Sequence, residues 1–348
     1  MIAHFGLKRQ YKYLKDELLD ATSQVLRSGQ YLDGKYTREF EHWLQNKTKT
    51  DYAITVHSGT QALEIIANYV SSQQRKTIVI PNISYPATLN AFLRTNFDII
   101  ISDTDKYGIL LEDFPHHINK NYCIVGLYGR KPLNDLNFLD SRNFIVDGAQ
   151  HWLVADGQIG IGMSISFDPT KNLPSSGNGG AIVTNDKDLY DYAVMMRNNG
   201  KPDFDFAGSN SKMSEQDCAQ ILVRTKYLDS WQSRREQIRQ YYCRELREYV
   251  TCLSDDTIPH ANQKFVIYCP ESRNSLHTHL MVSGIESKIH YDYTLGELEI
   301  AYKIKDKPTP MSTSYMLMRG VLSLPIYPEL TDSEIEFIAD TVKKFYDK

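Results

Sequence analysis

From residue 52 onward the chain repeats one local pattern, a short β-rich run followed by a helical stretch, and few folds can accommodate it. Tyr52–Val56, Thr77–Ile80 (stopped by Pro81), Phe97–Ser102, Cys123–Leu127 and Phe144–Val146 each read as a strand. Gln61–Val70 and Ala87–Arg94 read as helices between them, and two further runs, Ile161–Phe167 and Ala181–Thr184, flank a glycine-rich loop. Short apolar strands alternating with helices must be covered on both faces. The pattern therefore predicts an α/β fold with a mostly parallel sheet between helices.

The flanking regions are predominantly helical. Residues 11–28 place Leu14, Leu18, Ala21 and Val25 on one stripe ending at Ser28-Gly29, and Thr37–Asn46 carries Phe40, Trp43 and Leu44. From Ser214 the pattern reads as one long helix to about Tyr249, with Arg234-Arg235-Glu236 most simply a solvated face. Residues 250–348 hold shorter strands at Phe265–Tyr268 and Lys288–Tyr291 and an amphipathic helix, Asp332–Tyr346. A chain of 348 residues exceeds what one core usually serves. The expected division is a large α/β domain over 1–230 and a small C-terminal α+β domain over 231–348.

Charge and cysteine content exclude several classes. The net charge is −4 with both signs interleaved, which argues against a nucleic-acid or anionic-membrane partner. The cysteines at 123, 218, 243, 252 and 269 show no CxxC spacing and no neighbouring histidine cluster, so neither a disulfide framework nor a metal site is expected. The first residues lack a basic stretch followed by an apolar one, and no apolar run is long enough to span a bilayer. A cytoplasmic protein is the expectation.

Lys171 stands in Ser166-Phe167-Asp168-Pro169-Thr170-Lys171, just before Gly177-Asn178-Gly179-Gly180, and Asp147 closes the earlier run Phe144-Ile145-Val146. A lysine in a polar, Gly-rich loop and an acid at a strand's carboxyl end suit pyridoxal phosphate. The lysine holds the aldehyde as a Schiff base, and the acid keeps the pyridine nitrogen protonated. Blander readings exist for each position: Lys171 as a surface lysine, Asp147 as a turn or helix cap, Gln150 as a second cap. Ser58-Gly59-Thr60 opens a helix whose first amides could hold a phosphate, though Ser and Thr begin many helices. Tyr85, after Pro81, could stack on a planar ring or simply pack.

Taken in order, the small-residue helix start, the aromatic after a proline, Asp-x-x-Gln and Ser-Phe-x-x-x-Lys resemble the sugar aminotransferase (DegT-like) family of fold-type I pyridoxal phosphate enzymes. Ser28–Gly34, Leu127-Tyr128-Gly129, Arg197–Gly200, Gly208–Ser214 and Leu324–Pro328 are similar to further landmarks of that family along nearly the whole chain. The resemblance implies an aspartate aminotransferase-like large domain with a seven-stranded sheet. It implies that Lys171 carries pyridoxal 5'-phosphate and moves protons, that Asp147 pairs with the ring nitrogen, Tyr85 stacks on the ring and Gln150 contacts its hydroxyl. Ser58, Gly59, Thr60 and Ser166 would hold the phosphate, and Asn210 would reach the phosphate of a neighbouring subunit in a homodimer with shared sites. Tyr31, His290 and Tyr291 would contact substrate.

The implied reaction moves an amino group from glutamate to a nucleotide-diphosphate-linked keto sugar, a 4-keto-6-deoxyhexose first, a 3-keto sugar or a cyclitol next. A His in place of Lys171 would have marked the family's dehydratase branch. A non-catalytic regulatory protein of the same fold is the alternative from another class, and a dehydrogenase is disfavoured because no GxGxxG follows the first strand. The Pro and second His common after the family's His-Tyr pair are missing from Asp292–Gly296, which places the substrate question around His290.

Overall fold

Strands β1 (Tyr52–Val56), β2 (Thr77–Pro81), β3 (Asp98–Ser102), β4 (Lys120–Val125), β5 (Phe144–Asp147), β6 (Met163–Ser166) and β7 (Gly180–Thr184) form one seven-stranded sheet in the order β1-β7-β6-β5-β4-β2-β3. The computed structural model describes residues 1–73, 76–110, 120–132, 143–205, 207–254, 258–310 and 312–347. β2 runs parallel to β3 and β4, β4 to β5 and β5 to β6, while β7 is antiparallel to both its neighbours. The reversed strand follows from the connection before it. The lysine loop turns straight back from β6 into β7, without the crossover helix that a parallel pair needs.

Alternation along each strand divides the core. Ile54, Val56 and Ile182 face a cluster with Leu63, Ile66, Leu89 and Leu189, from α3 (Gly59–Ser72), α4 (Pro86–Leu93) and α5 (Lys187–Met196). Ala53, Ala181 and Val183 face the opposite cluster with Phe40 and Leu44 of α2 (Lys35–Thr48) and Ile221 of α6 (Glu215–Thr225). The stripe of α1 (Leu7–Ser28) packs on Ala219 and Val223 of α6 and on Trp231 of α7 (Leu228–Leu246). α1 ends at Gly29, whose φ of 66° suits a residue without Cβ.

The single helix expected from Ser214 to Tyr249 is two helices. It breaks at Lys226-Tyr227, where Tyr227 stacks on Trp231 at 5.9 Å between ring centroids. The break lets α7 leave the first core and place Ile238, Tyr242 and Leu246 in a second one. Nor is Arg234-Arg235-Glu236 simply a solvated face: Arg235 is buried and donates to the Ile326 carbonyl at 2.5 Å.

That second core lies on an antiparallel sheet of β8 (Thr251–Cys252), β9 (Phe265–Tyr268) and β10 (Val321–Leu324), ordered β10-β9-β8. Helices α8 (Arg273–Val282) and α10 (Asp332–Tyr346) cover it, α9 (Thr313–Gly320) leads into β10, and Ile2 from the start of the chain joins the cluster. Lys288–Tyr291 is not the expected strand. Only Lys288 pairs, in a single bridge to Ser323, because the chain then turns toward the large sheet and Tyr128 Oη donates to the His290 carbonyl at 2.5 Å. No described helix is long and apolar enough to cross a membrane.

Candidate active site

A cavity of about 390 Å³ lies beyond the carboxyl ends of β1, β2, β5 and β6, walled on one side by residues of the second sheet region. Ser58, Gly59, Thr60, Tyr85, Asp147, Gln150, Ser166, Lys171, His290 and Tyr291 all line it. Ten side chains or backbone segments named from sequence thus converge on one space. Tyr31 and Asn210 do not: both are exposed and lie outside the cavity of their own chain.

The head of α3 is built for an anion. Ser58 caps it, its hydroxyl accepting from Gln61 N at 3.1 Å while its own O–H remains able to donate into the cavity. The amides of Gly59 and Thr60 have no acceptor among the described residues. A Cβ on Gly59 would lie 2.7 Å from Ser166 Cβ, and one on Gly180 would lie 2.2 Å from the Ser58 carbonyl carbon. The backbone cradle therefore exists only with glycine at both positions, and a phosphate fits its free amides.

Asp147 is buried at the end of β5 and accepts from Thr88 Oγ1 at 2.8 Å and from Ala149 N at 3.2 Å. Burial pushes its carboxyl pKa up, against the opposing pull of Thr88, Ala149 and the Lys171 charge. A buried carboxylate in this position is stabilised by a cation set before it, and a protonated pyridine nitrogen fits that demand.

Lys171 is carried by a turn that Asp168 closes. The Asp168 carboxylate accepts from Thr170 N at 2.9 Å and Thr170 Oγ1 at 2.5 Å, and its carbonyl accepts from Lys171 N at 2.8 Å. The loop is clamped from the other side by the segment before β9. Asn172 N donates to Gln263 Oε1 at 3.0 Å, and Gln263 Nε2 donates to the Thr170 carbonyl at 2.9 Å. Burial lowers the Lys171 pKa, with Asp147 and Asp168 pulling the other way. A larger fraction of neutral, nucleophilic amine results.

Around these, Gln150 Oε1 accepts from Tyr128 N at 2.9 Å, which leaves its amide nitrogen directed at the Tyr291 hydroxyl, 3.5 Å away. His290 Nδ1 shares a hydrogen bond of 2.8 Å with Ser323 Oγ, and burial with the nearby lysine charges keeps its imidazole neutral. Tyr85 stands half-open at the cavity mouth, its ring 6.2 Å from that of Tyr291. Sequence reasoning missed Lys264, Lys288 and Phe5, which also line the cavity, and Thr88 behind Asp147. Two of them left a trace: Lys264 as a charged residue abutting the apolar run Phe265–Tyr268, and Lys288 as the first residue of the run that holds His290 and Tyr291.

The profile of the DegT/DnrJ/EryC1/StrS aminotransferase family matches residues 12–121 and 150–343. The chain is 29% identical over 369 residues to the dTDP-3-amino-3,4,6-trideoxy-alpha-D-glucose transaminase of Streptomyces venezuelae, an alignment covering 100% of this chain and 97% of that protein. The crystal structure of S. venezuelae DesV in complex with a ketimine intermediate superposes with a TM-score of 0.87 at 26% identity, covering 98% of this chain and 97% of that one. NtdA from Bacillus subtilis, solved with bound cofactor PMP, shares the fold with a TM-score of 0.85 at 23% identity, covering 96% and 82% of the two chains.

Proposed function

The chain belongs to the DegT/DnrJ/EryC1/StrS aminotransferase family, and on that premise we propose that it transfers an amino group from glutamate to a nucleotide-diphosphate-linked keto sugar, a 4-keto-6-deoxyhexose. Pyridoxal 5'-phosphate is its cofactor, as the family and the cavity's chemistry both require. The observation that carries the reading is the convergence of Lys171, Asp147 and the uncommitted amides at the head of α3 on one cavity.

When bound, the cofactor supplies an electron sink and holds the amino group between the two half-reactions. Lys171 takes a proton from the donor carbon in the first half and returns one to the acceptor carbon in the second, a role suited to an amine whose pKa burial lowers. Asp147 would keep the ring nitrogen protonated, while the Gly59 and Thr60 amides with the Ser166 hydroxyl would hold the phosphate. Ser58 would cap the helix and donate its own O–H to the same phosphate. Gln150 Nε2 would contact the ring hydroxyl, Tyr85 would stack on the ring, and His290 with Tyr291 would contact the sugar.

Tyr31 and Asn210, outside their own cavity, are assigned to the neighbouring site of a homodimer. The large domain spans 1–230 and the small domain 231–348, and the protein acts in the cytoplasm. A 3-keto acceptor is the second reading, favoured by the 3-amino product in the name of the S. venezuelae relative. Incubating the holoenzyme and glutamate with dTDP- and UDP-linked 4-keto and 3-keto hexoses, and with an inosose, tests the reading by mass spectrometry. Amination of a nucleotide-linked keto sugar supports it, and the ring carbon aminated chooses between the two versions. Amination of the inosose alone overturns it.

A further inference from the structure

Lys264, immediately before β9, is 7% exposed, and its side chain projects into the cavity. Its ammonium has no hydrogen-bond acceptor and no carboxylate within ion-pair distance among the described residues. Its nearest charges are mostly of the same sign: Lys171 and Lys288 both disfavour its protonated form, and only Asp168 favours it. Asp147 accepts from Thr88 and Ala149, and Asp168 accepts from Thr170 through Oδ1, but neither carboxylate comes within ion-pair distance of Lys264. Lys288 has only Glu286, at 3.6 Å, and otherwise lies over the Phe5 ring at 5.0 Å. A lysine this buried is expensive to keep without a partner, and its pKa is driven well down for that reason.

We propose that Lys264, backed by Lys288, is an oxyanion subsite that holds a negatively charged group of the substrates beside the reactive Lys171 amine. The inference rests on the reading of Lys171 as the cofactor-bearing lysine. Two substrates of the proposed reaction carry such a group: the donor amino acid, whose carboxylate adjoins the reacting carbon, and the acceptor, whose diphosphate lies further from it. Binding either one supplies the missing counter-charge, favours the protonated form of Lys264 and forms a charge-assisted hydrogen bond in a water-poor space.

The test uses holoenzyme of the wild type and of Lys264→Met, with Lys288→Met as the second variant. Cofactor affinity is measured first, by absorbance titration with pyridoxal phosphate, together with borohydride fixation on Lys171. The two half-reactions are then followed separately in single turnovers, the first against L-glutamate concentration and the second against a dTDP-linked keto sugar. The expected result is unchanged fixation on Lys171 and a rise of about tenfold or more in the half-saturating concentration of one substrate, the loss of one charge-assisted hydrogen bond. A rise for glutamate identifies the donor carboxylate, and a rise for the nucleotide sugar identifies the diphosphate. Unchanged saturation for both substrates overturns the proposal, as does a loss confined to pyridoxal phosphate affinity. If Lys264→Met fails to fold, the same titrations on Lys288→Met decide by the same criteria. Loss of fixation in the wild type would instead sink the underlying reading of Lys171.

Discussion

Thr88 Oγ1 donates a hydrogen bond to Asp147 Oδ2 at 2.8 Å and shares another with Ser84 Oγ at 2.8 Å, so the acid at the end of β5 is held from α4. This bond works against the burial that raises the Asp147 pKa. Thr88→Val keeps the shape and removes the donor. The expected effect is a cost of about 1–2 kcal/mol in holding the ionised acid, seen as roughly tenfold weaker cofactor binding and lower turnover. Absorbance titration with pyridoxal phosphate checks it; unchanged affinity would mean that Asp147 does not depend on Thr88.

Gly59 and Gly180 hold the cradle open. Gly180→Ala places a Cβ 2.2 Å from backbone of Ser58, which cannot move without shifting the head of α3. A destabilisation of about 1–3 kcal/mol is expected, together with loss of bound cofactor. Urea unfolding and the absorbance of the purified variant report the two effects separately.

Glu215 is buried at the start of α6 and accepts from Gly34 N and Tyr36 N at 2.9 Å, from Thr37 N at 2.8 Å and from the Thr37 hydroxyl. It ties the Tyr31–Gly34 segment and α2 to the rest of the fold, and its own amide donates to the Tyr31 carbonyl at 2.9 Å. Glu215→Ala leaves several buried donors unmatched and should cost about 3 kcal/mol or more, measured as a lower urea midpoint.

His4 and His151 are buried and His260 is partly buried, and desolvation lowers each pKa to about 3. In the unfolded chain they titrate near 6.5. Below that value the unfolded state binds protons that the fold does not, so stability is full above about pH 6.5 and falls progressively toward about pH 3. Urea midpoints measured from about pH 7 down to about pH 4 should decline steadily. A flat profile would contradict neutral, desolvated histidines.

The sequence carried most of the sheet and most of the cavity, because both depend on local signals. Strand ends are marked by Pro81, Asp147 and the glycines near Lys171, and these are the places where an open α/β sheet presents ligands. The role of Asp168 depends on the turn it closes with Thr170, which only the folded loop displays. The rest was set by distance along the chain. Lys264 and Lys288 lie more than ninety residues after Lys171, and although Lys288 sits two residues before His290, nothing local to either lysine shows that it enters the cavity. Neither α5 nor α8 is among the expected helices: α5 carries a local cue in Asp186, which caps it by accepting from Asp188 N and Leu189 N, whereas α8 buries only Leu276 and Leu280 and shows little periodicity. The break at Tyr227 was hidden because helical propensity continues through it and tertiary stacking decides.

The proposed role of Lys171 is to carry the cofactor and move the protons. Borohydride reduction of the yellow holoenzyme, followed by proteolysis and mass spectrometry, identifies the amine that holds the aldehyde. One modified peptide, containing Lys171, is expected, with no fixation in Lys171→Ala. Fixation on Lys264 instead, or full transaminase activity in Lys171→Ala, would contradict that role.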